Sequence, residues 1–296
     1  MSETNSSADA TFWRGLSWVI LSYLFAFAVG VATASVVPGD PLWKAWWGDV
    51  AATCVVFIFS FAFSNSSFYD PYWSVVPVFV AGGWVIADGS SGDRVRQALL
   101  IGAFALWGAR LTANWLRTWS GLHHEDWRYI DLKQKTGIFY WLVSLTGIHL
   151  FPTLLVFLGL WPAYEAIRSP TPLWWMDYVA LVCAVAATVL EHVADNQMHA
   201  FKARGPAPDQ TIDEGLWRWS RHPNYLGEIL FWWSIWLFAL AADVRNAETV
   251  VGALAMTALF RFISIPMMEQ RNLAKRPSYA ETMRTTSMLL FWPRRP

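Results

Sequence analysis

The stretch Gly215-Leu216-Trp217-Arg218-Trp219-Ser220-Arg221-His222-Pro223-Asn224-Tyr225-Leu226-Gly227-Glu228 runs directly into Ile229–Leu240, which carries no charge. Two Arg, a His, an Asn, a Tyr and a Glu thus stand at the mouth of a long apolar helix. Arg forks and imidazole grip phosphate oxygens, so a donor cluster of this kind suits an anionic cofactor. Pro223 has its φ fixed and suits the first turn of the helix that follows.

Working outward, the rest of the chain reads as a membrane protein. It has 296 residues, 55% of them hydrophobic and 15% charged, where globular chains carry about 25% charged residues. The 21 Trp suit bilayer interfaces, where amphipathic aromatics collect. A net charge of zero argues against a nucleic-acid partner, which leaves a basic footprint. Cys54 and Cys183 both lie in apolar runs, so no disulfide framework is expected. Met1–Ala10 is polar and Ser-rich and is expected to be a disordered tail. Residues 11–296 are expected to form one transmembrane domain, with an uncleaved first span.

Apolar length gives eight candidate spans: Leu16–Val37, Trp47–Phe63, Trp73–Ala87, Val95–Leu116, Gly137–Leu160, Trp174–His199, Leu226–Ala242 and Val250–Pro266. The second, third, seventh and eighth are short for a bilayer that needs roughly 20 residues. The fold class is therefore all-α, a polytopic bundle of seven to eight transmembrane helices. Connectors are expected at Trp119–Thr136 and Phe201–Asn224. Basic residues collect on one side (Arg128, Lys133, Lys135, Lys202, Arg204, Arg218, Arg221 and the C-terminal tail), while Lys44, Arg94, Arg96, Arg168 and Arg245 face the other. The positive-inside rule then makes the motif-bearing loops and both termini cytosolic. That corresponds to an inner or plasma membrane in a bacterium, or the endoplasmic reticulum in a eukaryote.

Ionisable groups inside a membrane are costly and tend to be functional. Glu191, Asp195, His199 and Lys202 share one helix face, a stripe suited to a ribose with basic groups leading on to phosphates. A bundle-facing ion-pair ladder is the plainer reading of the same stripe. Arg110 and Asn114 lie one turn apart, and Arg117 continues toward the helix end, where a snorkelling Arg is also expected. Asp70 and Tyr72 begin an apolar span. Asp70 is either a helix cap or the orienting partner of Tyr72, which is the simpler proton donor because a phenol donates without any shift. Glu125–Tyr129 reads as local ion pairing in a connector. His149 reads as a packed or hydrogen-bonded residue, and no metal site is expected, because neither HExxH nor a Cys/His pattern is present. There is no GxGxxG, P-loop or GxSxG.

Arg221-His222-Pro223-Asn224-Tyr225-Leu226-Gly227-Glu228 resembles the RHPNYxGE element of the steroid 5α-reductase superfamily, in particular its DUF1295 branch. The resemblance implies that this segment lines an NADPH pocket, and that Glu191, Asp195, Lys202, Arg110 and Asn114 match further elements of it. Met268–Arg271, Lys275–Tyr279 and Thr285–Ser287 resemble the tail that closes over the nucleotide. It also implies a Gln-Glu pair and a Tyr near the substrate carbonyl, where this chain has Tyr72-Trp73 and Trp107. The reading is an NADPH-dependent reductase of an activated C=C bond in a lipophilic, steroid-like substrate that enters from the bilayer. Arg110, Lys202, Arg218, Arg221 and His222 are assigned to the phosphates. Asn224, Tyr225, Asp195 and Glu228 are assigned to ribose and nicotinamide, and Glu228 joins Tyr72 and Asp70 as a catalytic candidate. The competing readings are an S-adenosylmethionine-dependent methyltransferase of the isoprenylcysteine or phospholipid type, and a non-enzymatic sterol-binding bundle.

Overall fold

The computed structural model describes residues 2–88 and 91–294. The expected tail, Met1–Ala10, lies outside the residues whose side chains are described. Among the described residues there are helices and no strands, with one isolated parallel bridge between Ser220 and Ser287. Seven helical stretches are long and apolar enough to cross a bilayer: Thr11–Val36, Pro41–Ala62, Arg94–Thr118, Trp127–Arg168, Trp175–Ala203, Pro223–Ala242 and Val244–Lys275. We label the α-helical segments α1 (Ser2–Val36), α2 (Pro41–Ala62), α3 (Tyr72–Asp88), α4 (Arg94–Thr118), α5 (Trp127–Thr136), α6 (Tyr140–Val143), α7 (Phe151–Arg168), α8 (Trp175–Ala203), α9 (Pro223–Ala242), α10 (Val250–Leu259), α11 (Ile265–Lys275) and α12 (Tyr279–Thr285).

The candidate span Trp73–Ala87 is the one that stays short, as the 17-residue α3. That length sits at the lower edge of what a bilayer needs. Its status fixes the parity of the fold, since seven crossings leave the termini on opposite sides and eight leave them together.

The fifth and eighth spans are longer than their apolar runs suggested. Both hold a π-helical turn, Ser144–Leu150 and Phe260–Ser264. Each turn is followed within two residues by a proline, Pro152 or Pro266. Proline lacks an N–H and its ring crowds the carbonyl four residues back. A wider hydrogen-bond turn accommodates that without ending the helix. The eighth candidate span therefore passes Pro266 and continues to Lys275 as the last of the seven stretches, and α5 occupies much of the expected Trp119–Thr136 connector.

The contacts divide the chain into two compact units: Met1–Gly89 with Gly108–Phe157, and Ser90–Trp107 with Leu158–Pro296. In the first unit α1 packs along α2, and α2 begins with Asp40 capping the Trp43 N–H at 2.9 Å ahead of Pro41. In the second unit α8 packs along α9. There Arg96 makes a bidentate pair with Asp177, at 2.7 and 3.0 Å, and also donates to the Thr171 carbonyl at 2.8 Å. Both side chains are fully buried, so the charge counted for Arg96 in the orientation argument is neutralised within the protein.

Candidate functional site

In the second unit the Gly215–Glu228 motif is docked on α8 at several points. Gly215 has φ +57°, which favours glycine. The adjoining Leu216 N–H donates to Gln197 Oε1 at 2.9 Å, and the Trp217 indole donates to the Ala194 carbonyl at 2.9 Å. Gly227 is required for another reason. A Cβ there would stand 2.7 Å from Glu191 Cβ and 2.8 Å from the Ala187 carbonyl. Its absence lets α9 lie against the α8 backbone.

Between these glycines, Arg221 and His222 are buried. Arg221 Nε donates to Glu269 Oε1 at 2.7 Å, and Nη1 donates to the carbonyls of Met283 and Thr286 at 2.9 and 2.5 Å. His222 Nε2 lies 3.1 Å from the same Glu269 oxygen. Desolvation lowers the His222 pKa below its ordinary value, against the opposing pull of Glu269. The backbone joins in, with the Arg221 N–H on the Ser287 carbonyl at 2.9 Å and the Trp292 N–H on the Trp219 carbonyl at 3.4 Å. The C-terminal segment is thus strapped across the motif. Of the tail elements singled out in the sequence, Met268–Arg271 and Thr285–Ser287 take part through Glu269, Thr286 and Ser287, and Arg221 is a cross-link within the protein as well as a donor.

Beside this knot is a cavity of about 300 Å³, lined by Arg221, Arg284, Thr285, Thr286, Ser287 and Met288 among others. The Thr286 hydroxyl, on a residue 3% exposed, has no hydrogen-bond partner. On the α8 face, Glu191 is buried, Asp195 and His199 are half-buried and Lys202 is exposed, so the stripe grades toward its basic end. Asp195 Oδ1 accepts from Asn224 Nδ2 at 3.2 Å. Tyr225 stacks on His222 with ring centroids 5.4 Å apart and meets Phe260 at 5.0 Å. Arg218 is exposed. Glu228 is 2% exposed, and its two oxygens accept the indole N–H groups of Trp107 and Trp232, each at 2.8 Å.

Arg110 and Asn114, one turn apart on α4, belong to the first unit. So do Asp70 and Tyr72, and here the structure corrects the sequence reading. Asp70 neither caps α3 nor orients Tyr72, because its Oδ1 accepts from the Tyr129 hydroxyl at 2.6 Å. Burial, reinforced by Asp126 and opposed by Arg128 and Tyr129, raises the Asp70 pKa to about 7. Tyr72 instead donates to Asp49 Oδ1 at 2.8 Å. Tyr72 and Asp49 are 4% and 3% exposed, and Asp49 Oδ2 has no hydrogen-bond partner. Sequence reasoning missed Asp49, although a lone acid within the span Trp47–Phe63 was signal enough. The local Arg128–Asp126 pair expected in the connector is present at 2.8 Å. His149 is fully buried, with Nε2 3.0 Å from Ser60 Oγ and Nδ1 2.9 Å from the Ser144 carbonyl. A carbonyl only accepts, so Nδ1 carries the proton and Ser60 donates to Nε2.

With fold and geometry in hand, the class is a polytopic all-α membrane protein with a buried acid pair in one unit and a strapped basic motif in the other. The chain belongs to the family described as "Protein of unknown function (DUF1295)", which it matches over residues 56–286. It is also 30% identical over 250 residues to an uncharacterized protein of Schizosaccharomyces pombe, covering 73% of this chain and 69% of the relative. No solved structure matches it.

Proposed function

We propose that this chain is an NADPH-dependent membrane reductase that saturates an activated C=C bond, such as that of an enone, in a lipophilic substrate reached from the bilayer. The observation that carries this reading is the Tyr72–Asp49 pair, a phenol held by a carboxyl group deep in an apolar unit. A buried polar atom left unmatched, as Asp49 Oδ2 is, costs about 1–3 kcal/mol, and functional sites tolerate that cost where ordinary cores do not. Methyl transfer to a nucleophile needs no acid of this kind, and a passive sterol-binding bundle gains nothing from an unmatched carboxyl oxygen.

The donors of the second unit fit an anionic cofactor. Lys202 and Arg218 are exposed, while Thr286 lines the cavity beside the knot together with Arg284, whose guanidinium also pairs with Glu281 at 2.8 Å. Asp195 and Asn224 are matched to ribose and carboxamide groups through their acceptors and amide donors. When bound, NADPH supplies the hydride that adds to the β-carbon of the substrate. Tyr72 donates a hydrogen bond to the carbonyl oxygen as enolate charge develops there, where a fixed donor has its largest effect, and a proton from water at the α-carbon completes the saturation. Asp49 holds the phenol in one direction, so no reorientation is required at that moment. The Arg221–His222–Glu269 knot keeps the C-terminal strap against the motif.

The test is a thermal-unfolding comparison on detergent-solubilised protein. NADPH is expected to raise the melting temperature by several degrees and S-adenosylmethionine to leave it unchanged. Stabilisation by S-adenosylmethionine alone would move the chain to the methyltransferase reading.

A further inference from the structure

The C-terminal strap carries an apolar run, Met288-Leu289-Leu290-Phe291-Trp292, that lies beyond the last spanning stretch, Val244–Lys275. Its backbone is pinned at three points. The Arg221 N–H donates to the Ser287 carbonyl at 2.9 Å, the Trp292 N–H to the Trp219 carbonyl at 3.4 Å, and Arg294 Nε to the Arg218 carbonyl at 3.3 Å. The large side chains nonetheless stay outside: Leu290 is 67% exposed, Phe291 42% and Trp292 64%. Leu290 and Trp292 also border the cavity beside the knot, yet most of their surface faces away from protein. A strap that only closed over the motif would turn such groups inward, because apolar area is stabilised by removal from water. Contiguous exposed apolar side chains mark a surface that meets a membrane or a partner.

Height and charge decide between the two. The run is tied to Trp219, itself 43% exposed, which stands four residues before Pro223, the first residue of α9. Four residues reach at most about 14 Å, so the run lies near the end of a span, where amphipathic aromatics collect. Between positions 271 and 296 the sequence holds Arg271, Lys275, Arg276, Arg284, Arg294 and Arg295 against one acid, Glu281. A basic excess that directly follows a span attracts anionic headgroups. Arg284 pairs with Glu281 at 2.8 Å and Arg294 with Asp213 at 3.7 Å. Both pairs reach water, where an ion pair is weak, so either guanidinium can exchange its carboxylate for a phosphate. We propose that Leu290, Phe291 and Trp292 form an interfacial anchor, seated in the headgroup layer of the bilayer, with the flanking basic residues selecting anionic phospholipid. Apolar area and charge add in such seating. Leu290 stands three residues past Ser287, so a leaflet that holds the run also holds Thr286 and Ser287 against Arg221, and lipid charge becomes a control on the strap. This seating does not depend on which cofactor the motif binds.

Spin labelling tests the seat. Full-length protein with Cys54→Ser and Cys183→Ser takes one nitroxide at Leu290→Cys, or at Phe291→Cys as a second site. It is reconstituted in phosphatidylcholine alone or in an equal mixture with phosphatidylglycerol. Collisions with oxygen, which concentrates in lipid, are compared with collisions with a neutral, water-soluble nickel chelate. The oxygen-to-nickel ratio is expected to be roughly threefold higher in the mixed membrane, the direction set by attraction of a basic segment to anionic lipid. At about 1 M salt, where the screening length is about 3 Å, that difference is expected to vanish. A difference that survives this salt would overturn the selection by charge. A label equally exposed to water in both membranes would overturn the proposal. So would one equally seated in lipid in both, because the basic residues would then select nothing. Shielding from both reagents in detergent would overturn it in favour of a second copy of the chain. Shielding that appears only on adding NADPH would overturn it by assigning the run to the cofactor site.

Discussion

The two polar centres solve the problem of burial in opposite ways. In the second unit, Arg221, His222 and Glu269 are desolvated together, and the carboxylate serves both the guanidinium and the imidazole while two backbone carbonyls take Arg221 Nη1. In the first unit, Tyr72 and Asp49 share one neutral-donor hydrogen bond and leave a carboxyl oxygen unmatched. A closed network of charges resists change and suits holding the strap in place. An open pair has capacity left over and suits an incoming carbonyl. The prediction is that the knot governs stability and the pair governs turnover.

The largest expected effect is on the knot. Glu269→Ala strands a buried guanidinium, and breaking a buried ion pair from one side costs about 3–5 kcal/mol. Denaturant titration in detergent measures it, and a loss below about 1 kcal/mol would mean that the knot is not what ties the strap down.

The pair should respond on the other axis. Tyr72→Phe is expected to reduce kcat about 10²- to 10³-fold, the usual loss for one oxyanion donor, with NADPH affinity unchanged. Weaker NADPH binding in that variant would place Tyr72 in the cofactor site instead. Replacing both partners in Asp49→Leu/Tyr72→Phe is expected to abolish turnover yet leave stability equal or raised by about 1–3 kcal/mol, because an unmatched buried group is removed. Marked destabilisation would show the pair to be a structural bond.

The smallest effect separates the units by the sign of a pH dependence. His222 has a folded pKa below its ordinary value. Its contribution is intact above about pH 6.5 and is lost as the pH falls, when the unfolded chain takes up a proton that the folded one resists. Asp70 has a folded pKa raised to about 7. The folded state therefore holds the extra proton, and stability is lost as the pH rises from about 4 toward 7. Between about pH 4 and 6.5 the two contributions slope in opposite senses, so His222→Gln should make stability rise less with pH and Asp70→Asn should make it rise more, and two variants that change the slope in the same sense would refute the assignment.

The fold was legible because the bilayer imposes long apolar runs, and those runs marked each of the seven spanning stretches. Their ends were less legible. Pro152 and Pro266 read as interruptions, whereas π turns absorb them. The motif was legible because its residues are contiguous. Glu269 stood out only as a tail residue, and nothing in its spacing disclosed that it meets Arg221 and His222 nearly fifty positions earlier. Asp49 and Tyr72 are joined across 23 residues and two helices, so local pattern favoured the nearer Asp70. The sequence neighbours of Tyr72 were the wrong place to look for its partner.

The most direct test of the central claim follows a deuterium label. Purified protein supplied with NADPH deuterated at the transferable ring position and a panel of lipophilic enones should yield saturated product. The account predicts one deuterium on the β-carbon of the product, with at least a hundredfold slower incorporation by Tyr72→Phe. Product without deuterium, methylation of a lipid by S-adenosylmethionine in the same preparation, or label transfer at the wild-type rate by Tyr72→Phe would contradict it.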